Sequence, residues 1–196
     1  MAMAMASSSS SSSSVVLLLT LMLLGLGLAS TSYTLQAWAK KTVVLTYYTQ
    51  QQFGVNEFGM VAAAVAPVNG TRQGVGLEVV YDYTITAGGS PTSAAIGFVR
   101  GTSVVVSNTA NATIFFVKTV VDIADPVSGL SGTFSTQGEA NFGSGQPFEL
   151  AVVGGTGNFR GVIGYAIASS FNFTPPTATS TAKITNLYKA YLTFLL

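Results

Sequence analysis

Few side chains in this sequence can do acid–base or ligand chemistry. Its 196 residues hold seven Asp and Glu, eight Lys and Arg, eight Tyr, no His and no Cys. The absence of His excludes every Ser–His, Cys–His and His–metal mechanism. The absence of Cys excludes thiol catalysis, disulfides and iron–sulfur ligation. Carboxylates and phenols remain. The carboxylates are scattered along the chain and not grouped at hard-cation spacing. No metal and no cofactor is therefore expected. With charged residues at 8% and a net charge of +1, there is no basic stripe of the kind that binds nucleic acid.

Other candidate residues divide between packing and chemistry. Leu77, Val79, Tyr81, Tyr83 and Ile85 alternate along one face of a strand-like run, so the two tyrosines read first as packing groups. Glu78 and Asp82 share the other face, which meets either solvent or a polar cavity. Asp122 and Asp125-Pro126 read as turn residues. Arg160 reads as a solvated or carboxylate-paired group, and Lys118, on an apolar strand, as a snorkelling one. The stretch Val152-Val153-Gly154-Gly155-Thr156-Gly157-Asn158-Phe159-Arg160 is rich in glycine, but its spacing is not that of a phosphate-binding loop. A strand pattern follows it, so it reads as a tight hairpin turn.

The elements that must position these residues are strands. Runs at 42–48, 59–66, 77–86, 95–106, 112–121, 132–139, 148–153, 159–169 and 182–196 are separated by Gly, Pro and Asn signals, with no helical period. Several runs, such as Thr113-Ile114-Phe115-Phe116-Val117, are apolar on both faces. A closed barrel or sandwich accommodates that better than an open meander. A barrel of about eight strands can hold one small ligand inside. The outward apolar residues point to subunit contacts.

Residues 1–39 read as a secretory signal. A leucine-rich stretch over 15–29, short for a membrane span, is followed by Ala37-Trp38-Ala39, with cleavage expected before Lys40. Gly27-Leu28-Ala29 is a second candidate cleavage site. A single domain over 40–196 would then be extracellular, with no membrane attachment after cleavage. Lacking disulfides, it would rely on its core or on oligomerisation. Asn69, Asn111 and Asn172 each begin an N-glycosylation sequon.

The stretch V-V-G-G-T-G-x-F, with Gly154, Gly155, Thr156, Gly157 and Phe159, resembles the signature of the plant dirigent family. Gly54-Val55-Asn56 resembles that family's early G-x-N. Asp82 to Gly88 resembles its D-x-P-L-T-x-G segment, with Thr84 in place of proline. Gly97-Phe98 and Thr133–Gly138 fit two further strands. The resemblance implies an eight-stranded antiparallel β-barrel, usually a trimer, in the apoplast. It implies a phenolic ligand, a monolignol radical, whose coupling in lignan or lignin biosynthesis the protein steers without oxidising it. A laccase or peroxidase would be the radical source.

The sequence also departs from that family. Its lignan-forming members resemble one another in an H-D-I segment on the first strand, in an acid after Q-G, and in an arginine shortly before V-V-G-G-T-G. Here the first segment reads Tyr47-Tyr48-Thr49-Gln50, and Phe148-Glu149 stand near the arginine position. Glu139 follows Gln137-Gly138 and is the candidate catalytic acid, with Tyr81 and Asp82 as candidate ligand contacts. The expectation is a more apolar, less acidic cavity that does not strongly direct coniferyl alcohol to one enantiomer. Two other readings stay open. One is a cyclase on an allene-oxide-cyclase-like barrel, whose local pattern Phe159-Arg160-Gly161 resembles; the other is a carrier or defence protein with an apolar cavity.

Overall fold

Alternation of buried and more exposed side chains along the strands builds one curved wall with an inside and an outside. The computed structural model describes residues 40–64, 73–109, 112–142 and 144–195. The strands are β1 (Lys40–Gln52), β2 (Glu57–Val61), β3 (Glu78–Thr86), β4 (Ala95–Asn108), β5 (Thr113–Ala124), β6 (Ser131–Ala140), β7 (Phe148–Gly155), β8 (Val162–Thr174) and β9 (Lys183–Leu195). All neighbouring pairs are antiparallel, in the order β1-β9-β8-β7-β6-β5-β4-β3-β2, and β1 also pairs with β3. That last pairing closes an eight-stranded barrel, as the family resemblance implies, and leaves β2 as an extra strand outside it. The expected signal segment, Asn69 and Asn111 lie outside the described residues. Asn172 is exposed on β8.

Closure is brief, and it creates a seam. On one edge of β3, Thr84, Ile85 and Thr86 pair with β1, whereas Tyr81, Val80 and Val79 pair with β2. The chain crosses from one partner to the other in the turn after Gln52. Gly54 takes φ +76° there, a value that favours glycine. The Asn56 side chain accepts from Gln52 N at 2.7 Å and donates to Gln50 O at 2.8 Å. The Asn56 carbonyl accepts from Asp82 N at 3.0 Å. The Gly-x-Asn segment therefore ties β1, β2 and β3 together at the seam.

The barrel's other end carries the glycine-rich turn. β7 ends at Gly155 and a single 3₁₀ turn, Gly157–Phe159, leads into β8. The connection is longer than a tight hairpin, and Phe159 belongs to the turn and not to the strand. A Cβ on Gly155 would lie 2.5 Å from Phe159 O and 2.6 Å from Thr133 O, so the turn packs directly on β6. Phe159, 1% exposed, is folded under it into the barrel.

Inside, one cluster contains Tyr47, Ile85, Val121, Phe134, Val162 and Leu192. A smaller one contains Val105, Phe115, Val117, Ala140 and Leu150. Each such aliphatic or phenylalanine side chain contributes about 1.5–3 kcal/mol on full burial. Ser103, Thr119 and Thr136 lie between the clusters along β4, β5 and β6, all buried. Thr119 and Thr136 satisfy each other through a 2.6 Å hydroxyl contact, as burial of polar groups demands.

Candidate functional site inside the barrel

The inward face of β3 contributes Tyr81 and Tyr83, stacked with centroids 4.6 Å apart. Tyr47 on β1 stacks on its cross-strand partner Tyr188 of β9 at 5.2 Å. Tyr47 also meets Phe134 edge-on at 6.5 Å, and Phe134 meets Phe159 at 5.3 Å. An aromatic column thus runs from the seam to the glycine-rich turn. The two lie at opposite ends of the barrel, because Val162 pairs with Phe194 and Gln51 with Ile184 at the far end of β9. The residues of the sequence signature plug one end and leave the polar chemistry to the other.

Burial keeps the tyrosines protonated. Desolvation raises the hydroxyls of Tyr47, Tyr81 and Tyr83 well above their ordinary value of 10 and lifts Tyr188 to about 12. In Tyr81 and Tyr83 the Glu57 charge adds to the effect. All four are therefore hydrogen-bond donors at neutral pH.

Glu57 is the residue that sequence reasoning missed. It is the first residue of β2, paired opposite inward-facing Tyr81. Its Oε2 accepts from Tyr83 Oη at 2.8 Å and from Gln51 Nε2. Gln51 in turn accepts from Asn186 Nδ2 at 3.3 Å. Next to Gln51 on the inward row of β1 sits Thr49, 1% exposed, whose hydroxyl has no hydrogen-bond partner among the described residues. A local signal for Glu57 does exist, since it directly follows Gly54-Val55-Asn56. Only the closure of the sheet, though, turns its side chain toward the tyrosines.

The other carboxylates look outward. Asp82 is exposed and bound to Arg100 at 3.3 Å, and Asp122 binds the same guanidinium at 3.4 Å. Asp122 is thus a strand residue, not a turn residue. Asp125 does cap its turn, accepting from Val127 N at 2.9 Å. Glu78 accepts from Thr102 Oγ1 at 2.9 Å on the outer face. Glu139 pairs opposite Phe116 and is exposed, while its neighbour Ala140 is buried. Of the three candidates from sequence, Tyr81 lies inside, whereas Glu139 and Asp82 lie outside. The reason is strand parity, which moves a side chain to the opposite face for every residue of offset. Among the described residues no three carboxylates come together as a metal site.

A groove of about 320 Å³ runs along the outer wall, lined by Arg100, Lys118, Val120, Gln137 and Val153 among others. Its two cations are already engaged. Arg100 holds two carboxylates, and Lys118 Nζ lies 5.5 Å from the Phe116 ring. The interior offers the better-defined chemistry, with an ordered aromatic lining, protonated hydroxyls, an orphaned threonine hydroxyl and one carboxylate.

The architecture is that of a closed eight-stranded antiparallel barrel with an aromatic interior. The dirigent-like protein family model matches residues 42–188. The chain therefore belongs to the dirigent-like protein family. Among solved structures it is similar to the pterocarpan synthase dirigent protein GePTS1, at 20% identity and a TM-score of 0.66, over 81% of this chain and 93% of that one. It is also similar to the pterocarpan synthase dirigent protein PsPTS1, at 25% identity and a TM-score of 0.63, over 80% and 97%. A pyocyanin demethylase matches at 15% identity and a TM-score of 0.52, which speaks for the fold alone. No curated protein matches the sequence.

Proposed function

We propose that this protein binds a phenolic ligand inside the barrel and imposes an orientation on its coupling, in the manner of a dirigent. One observation carries the reading: the tyrosine column of Tyr47, Tyr81, Tyr83 and Tyr188, which meets Glu57 at the seam. Stacked phenols accept another phenol ring in the same geometry, while the Tyr83 hydroxyl donates to Glu57 and leaves the carboxylate's second oxygen to accept a phenol O–H. The protein's contribution is positional. Two reactive species held in one arrangement form one bond in preference to others. The ligand class is a monolignol or related phenol, with a laccase or peroxidase generating the radicals. Export to the apoplast rests on the signal-like N-terminus. A homotrimer is supported by exposed apolar side chains on the outer wall, including Val44, Phe98, Val120, Val153 and Ile163.

The test is coniferyl alcohol with a one-electron oxidant, with and without the protein, resolved by chiral chromatography. The protein alone is expected to leave the alcohol unoxidised. With oxidant it should change the distribution of coupled products, with only modest enantiomeric excess. An identical distribution in both arms would refute the reading. A second reading, a cyclase, is favoured by Glu57, since an inward carboxylate can serve as general acid or base in a ring closure. Its mark would be turnover of a preformed quinone methide in the absence of oxidant.

A further inference from the structure

We infer that Glu57 is the anchor and charge filter of the interior site. It would accept the hydroxyl of a neutral aromatic ligand and exclude the carboxylate analogue of the same shape. This rests on the reading of the interior as a phenol site. Glu57 is the carboxylate that reaches the inward-facing side chains, through Tyr83 and Gln51. Both bonds end on Oε2, and Oε1 has no hydrogen-bond partner among the described residues. Glu57 is only partly buried, so that oxygen remains within reach of a ligand entering at the seam. Thr49, buried with an orphaned hydroxyl, lies next along the same wall.

The charge balance sets the selectivity. The described cations Lys41, Arg100, Lys118, Arg160, Lys183 and Lys189 are all exposed, and among the described residues none forms an ion pair with Glu57. An anionic ligand in this site would meet a like charge and find no described cation to offset it. A neutral ligand would keep the charge-assisted bond of its hydroxyl without that repulsion. At partly screened separations a like-charge contact corresponds to about a tenfold loss of affinity.

The experiment is calorimetric titration of the purified protein at neutral pH with para-hydroxycinnamyl alcohol, para-hydroxycinnamate and the neutral para-hydroxycinnamamide. The alcohol and the amide are expected to bind about tenfold more tightly than the acid. In Glu57→Gln, the acid should come within about twofold of the alcohol, whereas Glu149→Gln should keep the wild-type ratio. Because the amide comparison uses the wild-type protein, it does not depend on how the variant folds. An amide as weak as the acid would mean rejection by shape, and would overturn the inference. So would a preference that survives in Glu57→Gln. Equal binding of all three ligands would overturn the filter alone and leave the phenol site standing. Binding of none would overturn both.

Discussion

Raising the pH should open the barrel from within. The unfolded-state tyrosine ionises near 10, whereas Tyr188 in the fold is held to about 12 by burial. A folded-state value raised above the unfolded one stabilises the protein fully below pH 10, and that contribution is lost as pH climbs toward the folded value. For Tyr188 the difference corresponds to about 3 kcal/mol, at roughly 1.4 kcal/mol per pH unit. Tyr47, Tyr81 and Tyr83 are raised in the same direction by the same cause. Typical domains have only about 5–15 kcal/mol to lose, so ionising buried phenols is a substantial perturbation. The assay is tyrosinate absorbance followed against near-ultraviolet circular dichroism from pH 9 to about 12.5. The expected result is a cooperative absorbance step coinciding with loss of the aromatic dichroism. Complete tyrosine ionisation with the dichroism intact would show that the column is not buried as described, and would refute the argument.

Two further perturbations separate the two ends of the barrel. Gly155→Ala forces a Cβ to within 2.5 Å of Phe159 O and 2.6 Å of Thr133 O; it should lower stability by about 3 kcal/mol, read as a urea midpoint, whereas Gly59→Ala, with open space around it, should stay within about 0.5 kcal/mol. Asn56→Ala removes two side-chain bonds at the seam and should cost about 2 kcal/mol; a midpoint equal to wild type would mean that the turn holds without its staple.

Much of the architecture was legible in the sequence because strand alternation is a local signal. The face shared by Leu77, Val79, Tyr81, Tyr83 and Ile85 is the inner one, and Val79, Tyr81, Tyr83 and Ile85 are buried. The glycine-rich stretch could be read as a turn for the same reason, since glycine there answers to neighbouring backbone. Its length is not legible, because nothing local distinguishes a 3₁₀ link from a tight hairpin. Asp82 was ambiguous because parity gives two faces without saying which is inside. Arg100 of β4 resolves that on the outer wall by pairing with Asp82 of β3 and with Asp122 of β5.

The inward carboxylate, Glu57, is hidden for a different reason. Glu139 was favoured by its place after Gln137-Gly138, but an acid offset by one residue on a strand faces the other way, and β6 turns Ala140 inward instead. Glu57 stands on a strand with exposed Phe58 and Met60, a pattern that by itself reads as solvent-facing edge. It becomes an interior group only because β1 leaves β3 after three paired residues, Tyr48, Thr49 and Gln50, and the Asn56 staple swings β2 into the gap. Closure of the sheet is a long-range event that joins residues 48–57 to residues 81–86. No window along the chain contains both partners of the Glu57–Tyr83 bond with the wall that aligns them. If that bond is what orders the seam, Tyr83→Phe and Glu57→Gln should each loosen it, and the double variant should be no worse than the worse single one. Strictly additive losses would mean that the two side chains act independently and that the carboxylate's position is set by Gln51 alone.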